Sequence, residues 1–371
     1  MLPWKPRYRL TPAMGRDLMT IEAARTVVDH TPLPLAAEVE LRRRARIRSS
    51  HYSTAIEGNR LTLAQAEKVI ASRKARFHGR ERDVQEVRNY WNALIRMGEW
   101  AAQKRPLNEN LIRRIHAIVE KGLRAKPTPY RTGQNVIRDS GSGRIVYLPP
   151  EARDVPALMR GLADWVRRAE KEGIPVPLIA GLVHYQLVTI HPYYDGNGRT
   201  ARLLATFLLH RGGYGLNGFL SLEEHHARDL EGYYRSLAVH PHHNYYHGRA
   251  QADLTRWLAY FSRTLATVFE NAKQETLHLA KKGFSQPPEP LRKLDRRAKA
   301  ILPLFLKTDR LTNAAVREAL GLSDRMTRVL LTNWVKDGWL KVANASNRAR
   351  AYGLSAIYRQ YLKPLSAMQT K

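Results

Sequence analysis

At 371 residues, the chain is longer than a typical single domain, so two or three folded units are expected. The absence of cysteine excludes disulfides and thiolate metal sites, and 43% hydrophobic residues indicate a globular rather than a disordered chain. The formal charge of +29 favours polyanionic partners such as nucleic acid, nucleotide phosphates or acidic proteins. An arginine-rich proteome would give the same excess without any such partner.

The sequence predicts neither secretion nor a membrane span. Its basic first residues, 1–14, are not followed by the apolar run of a signal peptide. The longest apolar segment, 174–190, contains two prolines and is short for a membrane span. We therefore expect a buried helix there, in a cytoplasmic protein.

Helical periodicity dominates the chain. Apolar positions recur at three- and four-residue spacing with few internal breakers, which predicts a mainly α fold. The predicted helices are residues 34–55, 62–77, 83–104, 108–121, 155–172, 177–189 and 203–210. One exception is a short β-hairpin, in which residues 135–138 and 144–148 flank the turn Asp-Ser-Gly-Ser-Gly.

A linker is predicted at residues 281–290, where three prolines and a glycine follow a long helical pattern. Residues 291–306, 313–320 and 323–337 then predict three helices, and 339–354 a basic hairpin. This order is typical of a winged helix-turn-helix.

The segment after the linker is strongly basic. From residue 289 onward it has 17 Lys/Arg and 6 Asp/Glu, a surplus of +11, which favours DNA binding. Arg325 and Arg328 lie one turn apart on the second helix of the motif, where they would face a major groove or phosphates. Winged helices also serve as protein-docking or dimerisation modules, so both kinds of partner stay open.

The segment of greatest chemical interest is His191-Pro-Tyr-Tyr-Asp-Gly-Asn-Gly-Arg-Thr-Ala-Arg202, between two predicted helices. Glycines let the backbone approach a ligand closely, and the start of the following helix offers free N–H groups and a positive dipole end to an anion. The segment therefore predicts a phosphate cradle.

Four side chains give this cradle its chemistry. Arg199 and Arg202 share one helix face and can hold phosphate oxygens, while Asp195 is a hard oxygen ligand for Mg²⁺. His191 is placed to take a proton from a hydroxyl group at neutral pH. Each residue alone has an ordinary structural explanation, so their combination carries the prediction.

The same string resembles the signature of the Fic family, His-x-Phe-x-(Asp/Glu)-Gly-Asn-Gly-Arg-x-x-Arg. Every defining position matches except one, where Tyr193 replaces Phe. In that family the aromatic residue anchors the loop in the core, so the Tyr193 hydroxyl would need a partner or solvent. The phosphate-transferring Doc branch has Lys where Gly198 stands here.

The resemblance implies adenylylation, in which His191 deprotonates a Ser, Thr or Tyr hydroxyl that attacks the α-phosphate of ATP. Asp195 would hold Mg²⁺ on the α- and β-phosphates, and Arg199 and Arg202 would hold the β- and γ-phosphates. Asn197 and the backbone at Gly196 and Gly198 would stabilise the charge that develops at the α-phosphate.

Two further segments resemble parts of that family. Residues 130–150 are similar to its flap, a hairpin that pairs with the backbone of a target protein; the docking positions here are Val136, Ile137, Ile145 and Val146. Tyr233 and Tyr234 lie in a Gly-Tyr-Tyr-x-x-Leu string similar to the helix that walls the adenine pocket. Ordinary core packing explains these tyrosines equally well.

Residues 53–59, Ser-Thr-Ala-Ile-Glu-Gly-Asn, resemble the family's inhibitory motif (Ser/Thr)-x-x-x-Glu-(Gly/Asn)-Asn, which implies roles for Ser53, Glu57 and Asn59. Glu57 would pair with Arg202 and so remove the arginine that the γ-phosphate needs. The alternative is that Glu57 simply precedes a Gly-Asn helix cap.

The sequence therefore predicts an auto-inhibited adenylyltransferase that modifies other proteins or itself. Its expected units are an N-terminal helical region (1–105), a Fic catalytic domain (106–280), the linker, and a winged helix (291–371). De-adenylylation of a target and a nucleotide-sensing DNA-binding regulator are the alternatives. Relatives often pair through the catalytic unit, so a homodimer is also expected from the resemblance.

Overall fold

The computed structural model describes most of the chain. The described residues are 4–33, 35–72, 75–138, 141–219, 221–281, 294–306, 308–344, 346, 350–355 and 358. They divide into two compact units, one of residues 1–31 and 42–275 and the other of residues 32–41 and 276–371. None of the described helices is long and apolar enough to cross a membrane.

The first unit is built from helices. They are α1 (Pro12–His30), α2 (Leu35–Ile56), α3 (Leu63–Ala71), α4 (Glu81–Ala102), α5 (Glu109–Lys121), α6 (Val155–Lys171), α7 (Val176–Ile190), α8 (Asn197–Arg211), α9 (Leu222–Arg228), α10 (Leu230–Leu237) and α11 (Thr255–Lys281). Of these helices, the part of α2 before residue 42 and the part of α11 after residue 275 belong to the second unit. Helix α7 is buried along nearly its whole length, and α8 packs directly against it. The interior of this unit is therefore arranged around the segment that joins α7 to α8.

Polar caps fix where several helices begin. The Asn108 side chain accepts a hydrogen bond from the Leu111 N–H at the start of α5. Thr62 and Gln65 form a reciprocal capping box at the start of α3. Each cap satisfies an N–H group that the first helical turn leaves without a partner inside the helix.

A short antiparallel hairpin interrupts the helices. Strand β1 (Ile137–Arg138) pairs with β2 (Ile145–Tyr147), with Ile137 opposite Tyr147 and Arg138 opposite Ile145. The predicted mainly α fold with a short β-hairpin is confirmed.

The second unit contains helices and a three-stranded antiparallel sheet. Its described helices are α12 (Arg296–Ile301), α13 (Asn313–Leu320) and α14 (Asp324–Lys336). The sheet has the order β3 (Leu311–Thr312), β5 (Ala351–Leu354), β4 (Leu340–Asn344). Residues 282–290 of the predicted linker, and 345 and 347–349 of the predicted basic hairpin, lie outside the described residues.

Several helices differ from the sequence prediction, and the clearest differences are at α1, α3 and α8. Helix α1 was not predicted, although Thr11 caps it and Pro12 opens it. Helix α3 ends at Ala71 rather than at residue 77, and α8 begins at Asn197 rather than at residue 203. Apolar periodicity marks the packed part of a helix and misses its polar first turn.

Candidate active site

His191 follows the last residue of α7 in a left-handed backbone conformation, with φ 52° and ψ 59°. Its Nδ1 lies 3.2 Å from the carbonyl oxygen of Val188. Because a carbonyl only accepts hydrogen bonds, Nδ1 carries the ring proton and Nε2 is left as the basic nitrogen. Burial lowers the pKa of His191 to about 4, so the imidazole is neutral at pH 7.

The loop after His191 is closed by the side chain of Asn197. Its Oδ1 accepts from the Tyr193 N–H at 3.0 Å, and its Nδ2 donates to the Tyr193 carbonyl at 2.8 Å. Gly196 precedes α8 with φ 73°, a conformation that glycine adopts without steric cost. The Asn197 side chain, which the resemblance assigned to the α-phosphate, is therefore engaged in holding the loop.

Tyr193 anchors the loop in the interior. Its ring stacks on His116 with 3.6 Å between the ring centroids, and His116 Nε2 lies 2.8 Å from the Asp195 carbonyl oxygen. Burial lowers the pKa of His116 to about 4, so this ring is neutral. Within the described part of the chain, the buried Tyr193 hydroxyl has no hydrogen-bond partner. The Tyr193 hydroxyl therefore lies away from the protein surface and has no protein partner among the described residues.

Asp195 points outward from the loop, and its side chain is 55% exposed. Its Oδ2 lies 3.0 Å from Arg82 Nη2, and its Oδ1 accepts from the Gly196 N–H at 2.6 Å. Burial by itself would raise the pKa of Asp195, but the Gly196 N–H, Arg199 and Arg82 hold it below its usual value. The carboxylate is thus ionised at pH 7.

Arg199 is surrounded by carboxylates, and its side chain is only 2% exposed. Its Nη2 lies 2.9 Å from Glu120 Oε1 and 3.3 Å from Asp195 Oδ1, and its Nη1 lies 3.8 Å from Glu86 Oε1. A Cβ added at Gly196 would be 2.3 Å from Glu120 Oε1. In this arrangement the Arg199 guanidinium contacts acidic side chains, and its contact with phosphate stays a prediction.

Arg202 is buried against the end of α2. Its Nη2 lies 2.8 Å from Glu57 Oε1, and its Nε donates to Ser53 Oγ at 3.0 Å. Burial would lower the pKa of Arg202, but the Glu57 carboxylate raises it above its usual value. A Cβ added at Gly198 would be 2.2 Å from Glu57 Oε1. The Glu57 carboxylate therefore lies at the start of α8, where the sequence predicted a phosphate.

The turn after α2 holds Glu57 in this position. Gly58 has φ 92°, and the Asn59 N–H donates to the Thr54 carbonyl at 3.1 Å. The Asn59 side chain donates to Glu86 Oε2 at 2.9 Å and to the Asp83 carbonyl at 3.0 Å. The structure thus brings Ser53 and Glu57 to Arg202 and uses Asn59 to attach the turn to α4.

The predicted flap residues lie at the surface. Val136, Ile145 and Val146 are exposed, and Ile137 is half-buried. In the sheet formed by the described residues, β1 and β2 pair only with each other, so each keeps one edge that no further strand covers.

The two predicted adenine-pocket tyrosines differ in environment. Tyr233 is fully buried, and its hydroxyl lies 3.1 Å from His184 Nε2. Tyr234 is about half exposed, and its hydroxyl lies 3.5 Å from the Ile56 carbonyl oxygen. Tyr233 therefore packs in the core, and Tyr234 is the one accessible to a ligand.

The predicted DNA-contacting arginines lie in the second unit. Arg325 and Arg328 are exposed on α14, and Arg328 Nη2 lies 2.7 Å from Asp324 Oδ2.

Residues that the sequence analysis missed surround the loop. Arg82, His116, Glu120 and Arg131 all contact it, from positions 60 to 113 residues away along the chain. No local sequence pattern identifies these residues as part of the site. The one available signal was His116, a histidine on the apolar face of α5.

Comparison with known proteins finds that residues 106–209 match the Fic/DOC family. A protein adenylyltransferase Fic from Drosophila willistoni is 30% identical over 203 residues, which cover 54% of this chain and 39% of that protein. One from Nematostella vectensis is 32% identical over 171 residues, covering 44% and 37%. The chain thus spans about two fifths of the length of these curated relatives.

Solved structures share the fold over a larger part of the chain. A Fic family protein from Desulfovibrio desulfuricans G20 aligns with a TM-score of 0.60 and 28% identity, covering 95% of this chain and 99% of that one. A Fic domain-containing signaling protein from Bacteroides thetaiotaomicron aligns with the same TM-score and 24% identity, covering 73% of this chain and 97% of that one.

Proposed function

We propose that this chain is a protein adenylyltransferase that Glu57 holds inactive. The proposal rests mainly on one observation: the loop after α7 and the first turns of α8 combine a neutral imidazole with Asp195 and Arg202, and Arg202 is paired with Glu57 at 2.8 Å. Relatives named protein adenylyltransferase support the reaction class.

His191 acts as the general base. Its Nε2 takes the proton from a Ser, Thr or Tyr hydroxyl of the target, and the hydroxyl oxygen forms a bond to the α-phosphorus of ATP. The bond between that phosphorus and the oxygen bridging to the β-phosphate breaks, and pyrophosphate leaves. The Nδ1–H contact with the Val188 carbonyl keeps the ring in the required tautomer.

The triphosphate binds at the start of α8, where N–H groups and the helix dipole favour an anion. Gly198 leaves room for the phosphates to approach the backbone, and Arg202 pairs with the γ-phosphate. Glu57 occupies this position now, so the end of α2 must move before ATP binds productively. Arg199 forms ion pairs with the carboxylates of Glu120 and Asp195, so we assign it to holding the loop in place rather than to binding phosphate.

Asp195 is the residue that would hold Mg²⁺. The described residues contain no group of three or more side chains able to bind a metal, so the ion would take its other ligands from phosphates and water, as magnesium often does. The exposed carboxylate suits this role once Arg82 releases it. Bound Mg²⁺ would neutralise charge on the leaving pyrophosphate.

The target protein docks as an added strand beside the flap, and backbone pairing sets its hydroxyl near His191. Val136, Ile145 and Val146 offer apolar contacts to its side chains. The chain itself is one available target, so automodification is expected.

Incubation of the purified protein with α-labelled ATP tests the proposal. Label transfer should be weak in the parent protein, strong after Glu57→Gly, and lost when His191→Ala is added. Equal transfer with and without Glu57 would remove the inhibitory role. No transfer from either protein would favour de-adenylylation or nucleotide sensing.

We further propose that the second unit binds DNA, because its basic surplus and the exposed Arg325 and Arg328 suit a phosphate backbone. Filter binding to duplex DNA should weaken steeply with added salt and with the double change Arg325→Ala, Arg328→Ala. Absence of binding at low salt contradicts the proposal. The homodimer stays a prediction.

A further inference from the structure

Arg131 is a buried cation between the catalytic loop and the flap. Arg131 is only 3% exposed, yet no carboxylate forms an ion pair with its guanidinium among the described residues. Burial lowers its pKa, although an arginine remains charged at pH 7. A charge in this environment is tolerated only where hydrogen bonds satisfy it.

Three backbone carbonyls satisfy the guanidinium. Nε donates to the His191 carbonyl at 2.9 Å, Nη1 donates to the Gly133 carbonyl at 3.0 Å, and Nη2 donates to the Pro150 carbonyl. The backbone N–H of Arg131 also donates to the Pro192 carbonyl at 2.9 Å. One residue therefore joins the catalytic histidine to both ends of the flap, since Gly133 precedes β1 and Pro150 follows β2.

Other side chains make the same connection independently. The Tyr194 hydroxyl accepts from the Gly133 N–H at 2.8 Å and from the Thr132 N–H at 3.3 Å. Asn135 Nδ2 donates to the Tyr193 carbonyl at 3.0 Å. The flap and the loop thus meet through several polar contacts, of which those of Arg131 are the most buried.

We propose that Arg131 is a positioning residue that sets the distance between a target strand on the flap and the imidazole of His191, with Tyr194 as its exposed counterpart. The inference rests on the proposed function. Neither residue touches Arg202, Asp195 or the start of α8 in the contacts described for them. Their loss should therefore impair transfer to a protein hydroxyl without weakening ATP binding.

The test uses the full chain carrying Glu57→Gly. Arg131→Lys keeps the charge, but one ammonium group cannot reproduce a planar fork directed at three carbonyls. Tyr194→Phe removes only the accepting oxygen, and this residue is 63% exposed, so the fold should tolerate the change. Arg211→Lys is the matched control. The Arg211 guanidinium also donates to a backbone carbonyl, that of Arg105, and neither residue belongs to the loop or the flap.

We expect initial rates of automodification to fall about tenfold or more in Arg131→Lys and less in Tyr194→Phe, because small misplacement of reacting groups is costly. The Kd of a non-hydrolysable ATP analogue should stay within about twofold, and Arg211→Lys should match its parent in both measurements. An equal loss of ATP affinity and transfer, or no loss of either, would overturn the proposal.

Hydrogen exchange gives a readout that does not depend on activity. The amides of Thr132 and Gly133, which donate to Tyr194 of the loop, should exchange faster in Arg131→Lys than in the parent and the Arg211→Lys control. Unchanged exchange contradicts the connection. If the Glu57→Gly parent transfers no label at all, the proposed function fails, while the exchange experiment still decides whether Arg131 couples flap and loop.

Discussion

The Tyr193 hydroxyl is buried beside His116 and has no partner in the described residues. Leaving a buried hydroxyl unpaired costs roughly 1–3 kcal/mol. Tyr193→Phe should therefore stabilise the protein by about 1 kcal/mol and raise its Tm in a thermal melt. The matched control is Tyr147→Phe, which removes a hydroxyl that donates to the Thr189 carbonyl at 2.7 Å and should lower the Tm. A lower Tm in Tyr193→Phe would show that the hydroxyl is satisfied.

The role proposed for His191 predicts how the rate of label transfer depends on pH. A general base works in its neutral form, and burial lowers the pKa of His191 to about 4. As the pH falls from 7 to 5, the imidazole therefore stays neutral and the rate of label transfer by the Glu57→Gly protein should stay nearly constant. Initial rates in this range, with circular dichroism to verify folding, check the prediction. A rate that halves near pH 6.5 would mean that the imidazole titrates as in water.

The motif from His191 to Arg202, on which the proposed function rests, could be recognised in the sequence because its residues are contiguous and their chemistry is explicit. The side chains that contact this motif could not be predicted. Arg199 was expected at phosphates, but Glu120 and Glu86 reach it from α5 and α4. Asn197 was expected at the α-phosphate, but its amide spans the Tyr193 backbone. These contacts join residues that are distant in sequence, and spacing within a motif says nothing about them.

At the scale of elements, helix α2 is attached to α9 and α8 along one face. Arg48 Nη1 lies 2.7 Å from Glu224 Oε1, Ser49 Oγ donates to Glu223 Oε2 at 2.8 Å, and Ser53 contacts Arg202. Glu223 is buried, and burial raises its pKa. Helix α2, which directly precedes Glu57, is thus attached to α9 through Arg48 and Ser49, about two turns before Glu57 itself.

Ser49→Ala should weaken this attachment and activate the protein while Glu57 remains. Hydrogen bonds to buried charged groups contribute about 1.5–3 kcal/mol, so label transfer with α-labelled ATP should rise about tenfold. Ser50→Ala is the matched control, because the buried Ser50 hydroxyl donates only to Arg46 of its own helix in the contacts described. Equal transfer by the two variants would contradict a role for the α2–α9 contact in inhibition.

A comparison of predicted and observed helix boundaries shows which parts of a helix the sequence pattern can predict. The amphipathic helices α4, α5 and α6 were predicted within about two residues, because their apolar faces repeat at helical spacing. The start of α8 was six residues wrong, since Asn197, Gly198 and Arg199 are polar and their burial depends on side chains from other helices. The tertiary structure, rather than periodicity, extends this helix.

At the scale of the whole molecule, buried histidines make the fold sensitive to acid. Burial lowers the pKa of His116 to about 4 and that of His226 to about 3, and it lowers that of His184 well below the usual value. Between pH 6.5 and 4 the unfolded chain binds protons at these sites and the folded chain does not. The stability they contribute is therefore complete above pH 6.5 and is lost as the pH falls toward 4.

Thermal melts from pH 7.5 to 5 should show a falling Tm, with a loss of up to about 2 kcal/mol per histidine at pH 5. His226→Gln, which cannot take up a proton, should reduce the slope of Tm against pH even if it lowers the Tm itself. The exposed His242→Gln is the control and should leave the slope unchanged. A Tm independent of pH in the parent would contradict the assignment of neutral buried imidazoles.

The left-handed backbone at His191 has a consequence for how this chain has been selected. Most residues with a Cβ lose roughly 1 kcal/mol of stability in that conformation, asparagine loses less, and glycine, which has no Cβ, adopts it without this cost. A residue chosen for folding alone would therefore not be histidine here. Under the proposed function, stability and catalysis make opposite demands on this position, because the residue that would take the proton is held in an unfavourable backbone conformation.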